Sequence, residues 1–407
     1  MADTLSFDAV CRELDGRRRV TLGLERIESL LGLLGDPHRK VRVVQVVGTN
    51  GKGTTAVALS AALSRMGHPA GTYLSPHVLS YTERVMLGGK FVSEERFAAT
   101  MAEAIEVADR HGVPASQFEV LTAGAVKLFA DEGLSWAVLE AGLGARYDAT
   151  TAAMPEAVVL TNVGLDHAEY LGETVEEISD EKLASVSPGS VLILGTDDPT
   201  VVRLARERCA EVDARLVYAD AGHDLDPGSL PPYAVRDASL GLRAAEELLG
   251  EKLYGEAGSL VLRSVVNALP ARFETHLVGG VPVVVDGGHN PSGVEAALEA
   301  MVEVFGEVPL AVVFGVLRDK DSLSMLTPLS DLARTVVLTL PEGERAAEPT
   351  EVAARWREAE GGEVLAVEEP VEAVRAAVRS VEEEGGAVLV IGSFATAAPV
   401  LRWLRDG

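Results

Sequence analysis

Residues 41–54, VRVVQVVGTNGKGT, decide the fold. An unbroken Val-rich run reads as a strand buried on both faces, the pattern of a parallel sheet covered by helices. Behind it comes a glycine-rich turn with one lysine and one hydroxyl residue, and then helical spacing (TAVALSAALSRMG) as far as Gly67. Glycine lets backbone N–H groups face an anion at close range, and the following helix presents its positive end to the same anion. The segment therefore reads as a phosphate loop formed by Gly48, Thr49, Asn50, Gly51, Lys52, Gly53 and Thr54. Lys52 is placed to reach the terminal phosphates and Thr54 to offer its hydroxyl to Mg²⁺, which makes ATP or GTP the ligand class. An additional glycine, Gly53, separates the lysine from the hydroxyl residue, a departure from the commonest spacing.

Outward from this loop the chain alternates strands and helices. PAGTYLSPH reads as a strand ending in a loop, residues 118–132 as a helix, WAVLEAG and AVVLTNV as strands, TVEEISDEKLASV as a helix, SVLILG as a strand and PTVVRLARERC as a helix. Such alternation predicts a mostly parallel sheet with helices on both faces. Residues 210–235 read as loop, followed by a long helix from Asp237 to Leu253. A second αβ series begins near residue 270, with strands in VPVVVDGG, PLAVVFGV, TVVLTL, EVLAV and AVLVIGS, helices over 293–304 and 371–384, and no second phosphate loop. The expected organisation is α/β, with a P-loop domain over residues 1–268 and a smaller Rossmann-like domain over 269–407.

Composition narrows the partners. A formal charge of −26 on 407 residues argues against nucleic acid and anionic membrane, both of which attract basic surfaces. Cys11 and Cys209 are too few for a disulfide framework or a metal cluster, consistent with a reducing compartment. The start MADTLSFDAVCREL has neither a basic n-region nor an apolar h-region, and no stretch is long enough to span a bilayer, so a soluble, cytoplasmic protein is expected; separately, a monomer is expected. Lysine occurs only at positions 40, 52, 90, 127, 182, 252 and 320, so those that remain are candidates for chemistry closed to arginine.

Ligands of open α/β sheets gather at the carboxyl ends of strands, which makes Ser75, Glu140, Asp166 and His167 the residues to inspect. A carboxylate, an imidazole and hydroxyls suit Mg²⁺ when phosphate oxygens and water complete its shell. Taken singly, Glu140 also reads as a cap or ion-pair acid, His167 as a loop histidine, Lys182 as an exposed helix lysine paired with Asp180 or Glu181, and Phe118 as a core residue.

The variant GTNGKGT, together with GLERIESLLGLLGDP, SPH, YTERVMLGGKFVSEERF, FEVLTAGAV, LEAGLGARYDAT, LTNVGLDHAEYLGETVEEISDEK and DGGHNPSG in this order, resembles the folylpolyglutamate synthase/dihydrofolate synthase family of the Mur ligase superfamily. The resemblance covers most of residues 20–300. It implies an ATP-dependent ligase that phosphorylates a folate or dihydropteroate carboxylate and joins it to L-glutamate, with ATP and Mg²⁺ as cofactors. It puts Thr54, Ser75, Glu140 and His167 at the metal positions, Lys52 on the triphosphate, and Lys182 where a carbamylated lysine stands near a second metal, although EKLAS replaces the usual EKAGI. Arg272, in LPARFE, falls on the ATP phosphates, with Ala271 in place of a glycine. Asp286 falls at the ribose and His289 at the reacting centre. Asp237 occupies the position of an adenine-reading asparagine, where an aspartate only accepts hydrogen bonds. The stretch from Cys209 to Asp237 is shorter than the family pattern. Phe118, Glu119, Arg146 and Asp148 fall at the pterin end of the substrate. With the nucleotide cradle on one domain and Arg272, Asp286 and His289 on the other, domain closure is expected to assemble the site and exclude water. Three alternatives are a ligase for another carboxylate and amino acid, a nucleotide-binding relative without turnover, and a simple P-loop kinase.

Overall fold

A computed structural model describes residues 6–219, 225–266, 268–362 and 364–406. The chain forms two compact units, one running through Leu230 and resuming over Ala234–Ala268, the other taking Pro231–Tyr233 and everything from Leu269.

The first unit is built on eight strands, β1 (Arg42–Val47), β2 (Ala70–Tyr73), β3 (Val85–Leu87), β4 (Lys90–Phe91), β5 (Trp136–Glu140), β6 (Ala157–Leu160), β7 (Val191–Leu194) and β8 (Arg215–Tyr218), in the order β4-β3-β2-β5-β1-β6-β7-β8. All neighbours from β2 to β8 pair in parallel, and only β3 and β4 are antiparallel additions at one edge. The Val-rich run is thus a central strand, with Val43, Val44, Val46 and Val47 all buried. Covering helices approach closely where glycine permits it. A Cβ on Gly71 of β2 would lie 2.3 Å from the Phe129 ring, and one on Gly241 would lie 2.4 Å from the Thr55 carbonyl oxygen. Gly241 sits in the helix Pro232–Leu249, which therefore rests almost backbone to backbone on the phosphate-loop helix Lys52–Arg65.

The second unit carries six strands, β9 (Glu274–Val278), β10 (Val281–Val285), β11 (Leu310–Phe314), β12 (Thr335–Leu338), β13 (Val364–Ala366) and β14 (Ala387–Ile391), in the order β13-β12-β11-β14-β10-β9. They are parallel except for β9, which returns antiparallel on β10. A core of Val284, Val312, Phe314, Leu326, Leu338, Trp356 and Leu389 fills the space under its helices.

Two readings of the middle of the chain need correction. Residues Arg215–Tyr218, expected as loop, form the edge strand β8, whose half-exposed residues carry no strong apolar alternation. The helix expected from Asp237 begins at Pro232, because proline fits a first helical turn whose N–H groups lack intrahelical partners anyway. Part of the expected loop, residues 220–224, lies outside the described residues. Among the described residues no helix is long and apolar enough to cross a membrane.

Candidate active site

The phosphate loop leaves β1 at Val47 and enters its helix at Lys52. Gly48 has φ +149° and Gly51 φ +80°, values a side chain rarely tolerates. Space also requires glycine at both positions. A Cβ on Gly48 would lie 1.9 Å from Thr161 Oγ1, and one on Gly51 would lie 2.4 Å from the Asp237 carboxylate. The segment after β6 stitches the loop in place: Thr161 Oγ1 donates to the Asn50 carbonyl (2.6 Å), Asn162 Nδ2 to the same oxygen (3.1 Å), the Asn50 N–H to Asn162 Oδ1 (3.0 Å) and the Thr49 N–H to the Asn162 carbonyl (3.0 Å). Thr161 and Asn162 were not among the residues singled out from the sequence. Their position, directly after a strand that neighbours the phosphate-loop strand, is the signal that points to them.

Two lysines converge on one carbonyl. Lys52 Nζ donates to the carbonyls of Gly48 (3.2 Å) and Thr49 (3.0 Å), and Lys182 Nζ donates to Gly48 (2.8 Å) from 134 positions away. Lys182 is not an exposed helix lysine. It is 4% exposed, and Asp180 and Glu181 pair with Arg146 at 2.7 and 2.6 Å instead. Burial, reinforced by the charge of Lys52 and opposed by Asp166 and Asp148, pulls its ammonium down to about 7. A site that concentrates positive charge at the mouth of a phosphate loop, with one amine able to shed its proton near neutral pH, is poised for an anionic ligand.

At the neighbouring strand ends, buried Glu140 accepts the Ser75 N–H at 2.9 Å, and Thr54 lies buried in the first turn of the phosphate-loop helix. His167 stands in the left-handed region (φ +52°), its N–H bonded to Asp166 Oδ1 at 2.9 Å and its ring 3.9 Å from the other carboxylate oxygen. Among the described residues no three carboxylate, imidazole or thiolate groups gather to hold a metal unaided. One carboxylate with two hydroxyls and an imidazole suits a hard cation that arrives with its phosphates and keeps part of its water.

The four residues expected at the pterin end are unequally available. Phe118 is half-buried, its ring beside Tyr73 (centroids 5.8 Å apart) and against Gly142. Glu119 closes a capping box with Ser116 and pairs with Arg26, a role the sequence S-x-x-E already signals. Asp148 accepts the N–H groups of Gly142, Leu143 and Thr150 and the Thr150 hydroxyl, so its oxygens are committed to shaping the loop after β5. Arg146 is engaged with Asp180 and Glu181.

In the second unit, Asp286 at the end of β10 accepts from the Tyr233 hydroxyl (2.6 Å), the Phe273 N–H (3.0 Å) and the Gly288 N–H (2.8 Å). Arg272 lies over the face of Phe394, 4.7 Å from its centroid, and the His289 ring approaches the same phenyl at 5.5 Å. A Cβ on Gly287 would lie 2.1 Å from that ring. Phe394 is thus a shared platform for both polar residues, and nothing local in its sequence marks it as one.

Comparison with known proteins now bears on this geometry. Residues 46–225 match the Mur ligase middle domain and residues 271–394 the Mur ligase glutamate ligase domain. The chain is 31% identical over 345 residues, 77% of its own length and 80% of the relative's, to a dihydrofolate synthase/folylpolyglutamate synthase of Bacillus subtilis. It belongs to the folylpolyglutamate synthase/dihydrofolate synthase family. As a member it is an ATP-dependent acid–amino-acid ligase. Its fold is similar to that of E. coli FolC in complex with DHPP and ADP (TM-score 0.86, 27% identity, 99% of this chain and 98% of that one). It is also similar to the bifunctional folylpolyglutamate synthase/dihydrofolate synthase of Yersinia pestis complexed with AMPPNP and Mn ion (TM-score 0.85, 27% identity, 99% and 98%).

Proposed function

We propose that this ligase uses ATP to activate a carboxylate on a folate or dihydropteroate acceptor and passes the acyl group to L-glutamate. The observation that carries this reading is the convergence of Lys52 and Lys182 on the Gly48 carbonyl, which concentrates positive charge where a triphosphate would enter. In the first step a carboxylate oxygen attacks the γ-phosphorus, the bond to the β,γ-bridging oxygen breaks and ADP leaves. In the second, the glutamate amine attacks the acyl carbon, phosphate departs and the nitrogen loses a proton. Neither step demands a strong base, but both spread negative charge over phosphate oxygens, and charge neutralisation is the catalytic need.

The roles follow from that need. The N–H groups of Gly48–Thr54 and Lys52 would hold the phosphates. Thr54, Ser75, Glu140 and His167 would hold Mg²⁺, which supplies further neutralisation when bound. Lys182, with an amine near neutrality, is suited to form a carbamate with carbon dioxide and so replace a cation by an anionic oxygen ligand. Arg272, Asp286 and His289 serve the nucleotide and reacting groups from residues 269–407, the glutamate ligase domain, while residues 1–268 bind ATP and acceptor. Phe118 offers the pterin a flat face, Glu119 and Asp148 shape the surrounding loops, and Arg146 steadies the helix that carries Lys182. Cys11 and Cys209 are free thiols, which fits the reducing cytoplasm in which the protein is inferred to act; a monomer is inferred as its working form.

The decisive assay is phosphate release with ATP and Mg²⁺, acceptor and glutamate each being omitted in turn. Release that needs both supports the ligase with these substrates. Release that needs neither, or a stable phosphorylated acceptor without amide, overturns it. Running dihydropteroate and tetrahydrofolate separately identifies the acceptor.

Asp237 permits a separate prediction. Its carboxylate sits against Gly51, so a phosphate-bearing ligand must bind beside a negative charge. Asp237→Asn removes that charge and is expected to tighten ATP about 5-fold or more, the effect of roughly 1 kcal/mol between charges several ångströms apart in a partly screened site. Titration calorimetry measures it, and an unchanged or weaker affinity would show that the carboxylate instead contributes to binding.

A further inference from the structure

Arg84 ends the loop that begins at Ser75, and its surroundings are unusual for an arginine. The side chain is 7% exposed. Nε donates to His77 Nδ1 at 2.8 Å and Nη1 to Ser75 Oγ at 3.3 Å, and both acceptors are neutral groups. Among the described residues it has no carboxylate partner. The adjacent Glu83 is committed elsewhere, accepting the N–H groups of Val78, Leu79 and Ser80. Because the Arg84 Nε–H points at His77 Nδ1, that ring nitrogen is the acceptor and carries no proton of its own. A buried cation without an anion is a standing cost that an arriving anion removes.

A second observation points to the same place. Tyr73, the last residue of β2, is wholly buried, and its hydroxyl faces Arg84 and Thr122 without meeting hydrogen-bond geometry with either. Buried hydroxyls are nearly always partnered, so a hydroxyl without a partner beside a guanidinium without a carboxylate is well placed to bond an arriving acceptor group. Glu140, bonded to the Ser75 N–H, stands next to it.

We propose that Arg84 and Tyr73 form a receiving subsite for the acceptor's reacting carboxylate, the guanidinium supplying charge and the phenol a second hydrogen bond. The subsite rests on the ligase reading given above, since it assigns the group that is phosphorylated. No bond is made or broken by either residue. They hold the carboxylate beside Ser75 and Glu140.

The test uses the full chain with Arg84→Gln, Arg84→Lys and Tyr73→Phe. Loss of a hydrogen bond to a charged group predicts a rise in acceptor KM of about 30-fold for Arg84→Gln and about 3–10-fold for Tyr73→Phe, with ATP affinity unchanged within about 2-fold. Arg84→Lys should recover part of the loss. Tyr73→Phe removes an unpartnered buried hydroxyl and should unfold at the same temperature or higher, so its KM change cannot be attributed to a damaged fold. An acceptor whose carboxylate is replaced by a primary amide should bind wild type and Arg84→Gln equally. Unchanged acceptor KM in both Arg84→Gln and Tyr73→Phe, or equal loss for the amide analogue, overturns the subsite. Wild-type protein that turns over neither dihydropteroate nor tetrahydrofolate would overturn the function instead, so the two failures are distinct.

Discussion

Replacing Lys182 with methionine is expected to abolish ligation while making the metal-free protein more stable. The gain in stability comes from removing a buried amine. Lys182 is 4% exposed and its ammonium is pulled from an ordinary value of 10.5 to about 7, mainly by burial and then by Lys52. Below about pH 7 the folded protein carries a buried ammonium at full cost. Between about 7 and 10.5 it holds the neutral amine while the unfolded chain is still protonated, so the cost shrinks as pH rises and is gone above 10.5. Methionine, similar in length and apolar, should therefore raise stability by on the order of a few kcal/mol at pH 7 or below, with the gain fading toward pH 10. Turnover should fall by about 10³-fold or more, because a charged or carbamylated group at the phosphate site has been replaced by one that stabilises no charge. Denaturant unfolding in a chelator at pH 6, 8 and 10, with a parallel phosphate-release assay, checks both halves. A variant that is less stable at every pH, or that keeps more than a tenth of its turnover, contradicts the assignment. Depleting bicarbonate from the wild-type assay should lower activity reversibly if the carbamate forms, and Lys182→Arg should not respond, since its guanidinium stays protonated.

Lys52→Met should cost about as much turnover and, unlike Lys182→Met, should also weaken ATP about 10–100-fold, because a lysine at this position of a phosphate loop bonds the terminal phosphates directly. In the free protein its ammonium is parked on the carbonyls of Gly48 and Thr49, 3.2 and 3.0 Å away, and needs only a change of rotamer to reach an incoming anion. Its loss has a second consequence that a purely structural residue would not produce. Lys52 is one of the causes that hold the Lys182 ammonium down, so its removal should move the Lys182 titration upward from about 7. With seven lysines in the chain, carbon-labelled lysine resonances can be followed individually across pH. A Lys182 titration that stays in place in Lys52→Met would mean that the two ammonium groups do not share one field, and the charge cluster at Gly48 would lose its support.

The phosphate loop was legible because its determinants are local. A buried strand is written in consecutive valines, and the turn is written in glycines whose φ of +149° and +80° no side chain suits. The βα alternation on either side was legible for the same reason, down to most strand ends, whereas β8 was missed because an edge strand exposed to solvent lacks the apolar run that marks a central one. One side-chain bond was legible in the same way. Ser116 and Glu119 spell a capping box, so that carboxylate was already committed to its own helix.

What lay beyond the sequence was convergence. No spacing rule brings Lys182 to the Gly48 carbonyl across 134 positions, sets Asp237 on Gly51, stacks Arg272 and His289 on one phenyl ring or leaves Arg84 buried without an anion. Asp237 reaches the loop because Gly241, one turn further along the same helix face, lets that helix lie directly on the phosphate-loop helix. Backbone conformation is set by a residue and its neighbours, so the sequence alone determined the nucleotide cradle and the order of strands and helices. Burial, pairing and proton affinity depend on groups supplied by distant segments, so only the tertiary structure decided which charged side chains surround that cradle and in which protonation state they wait.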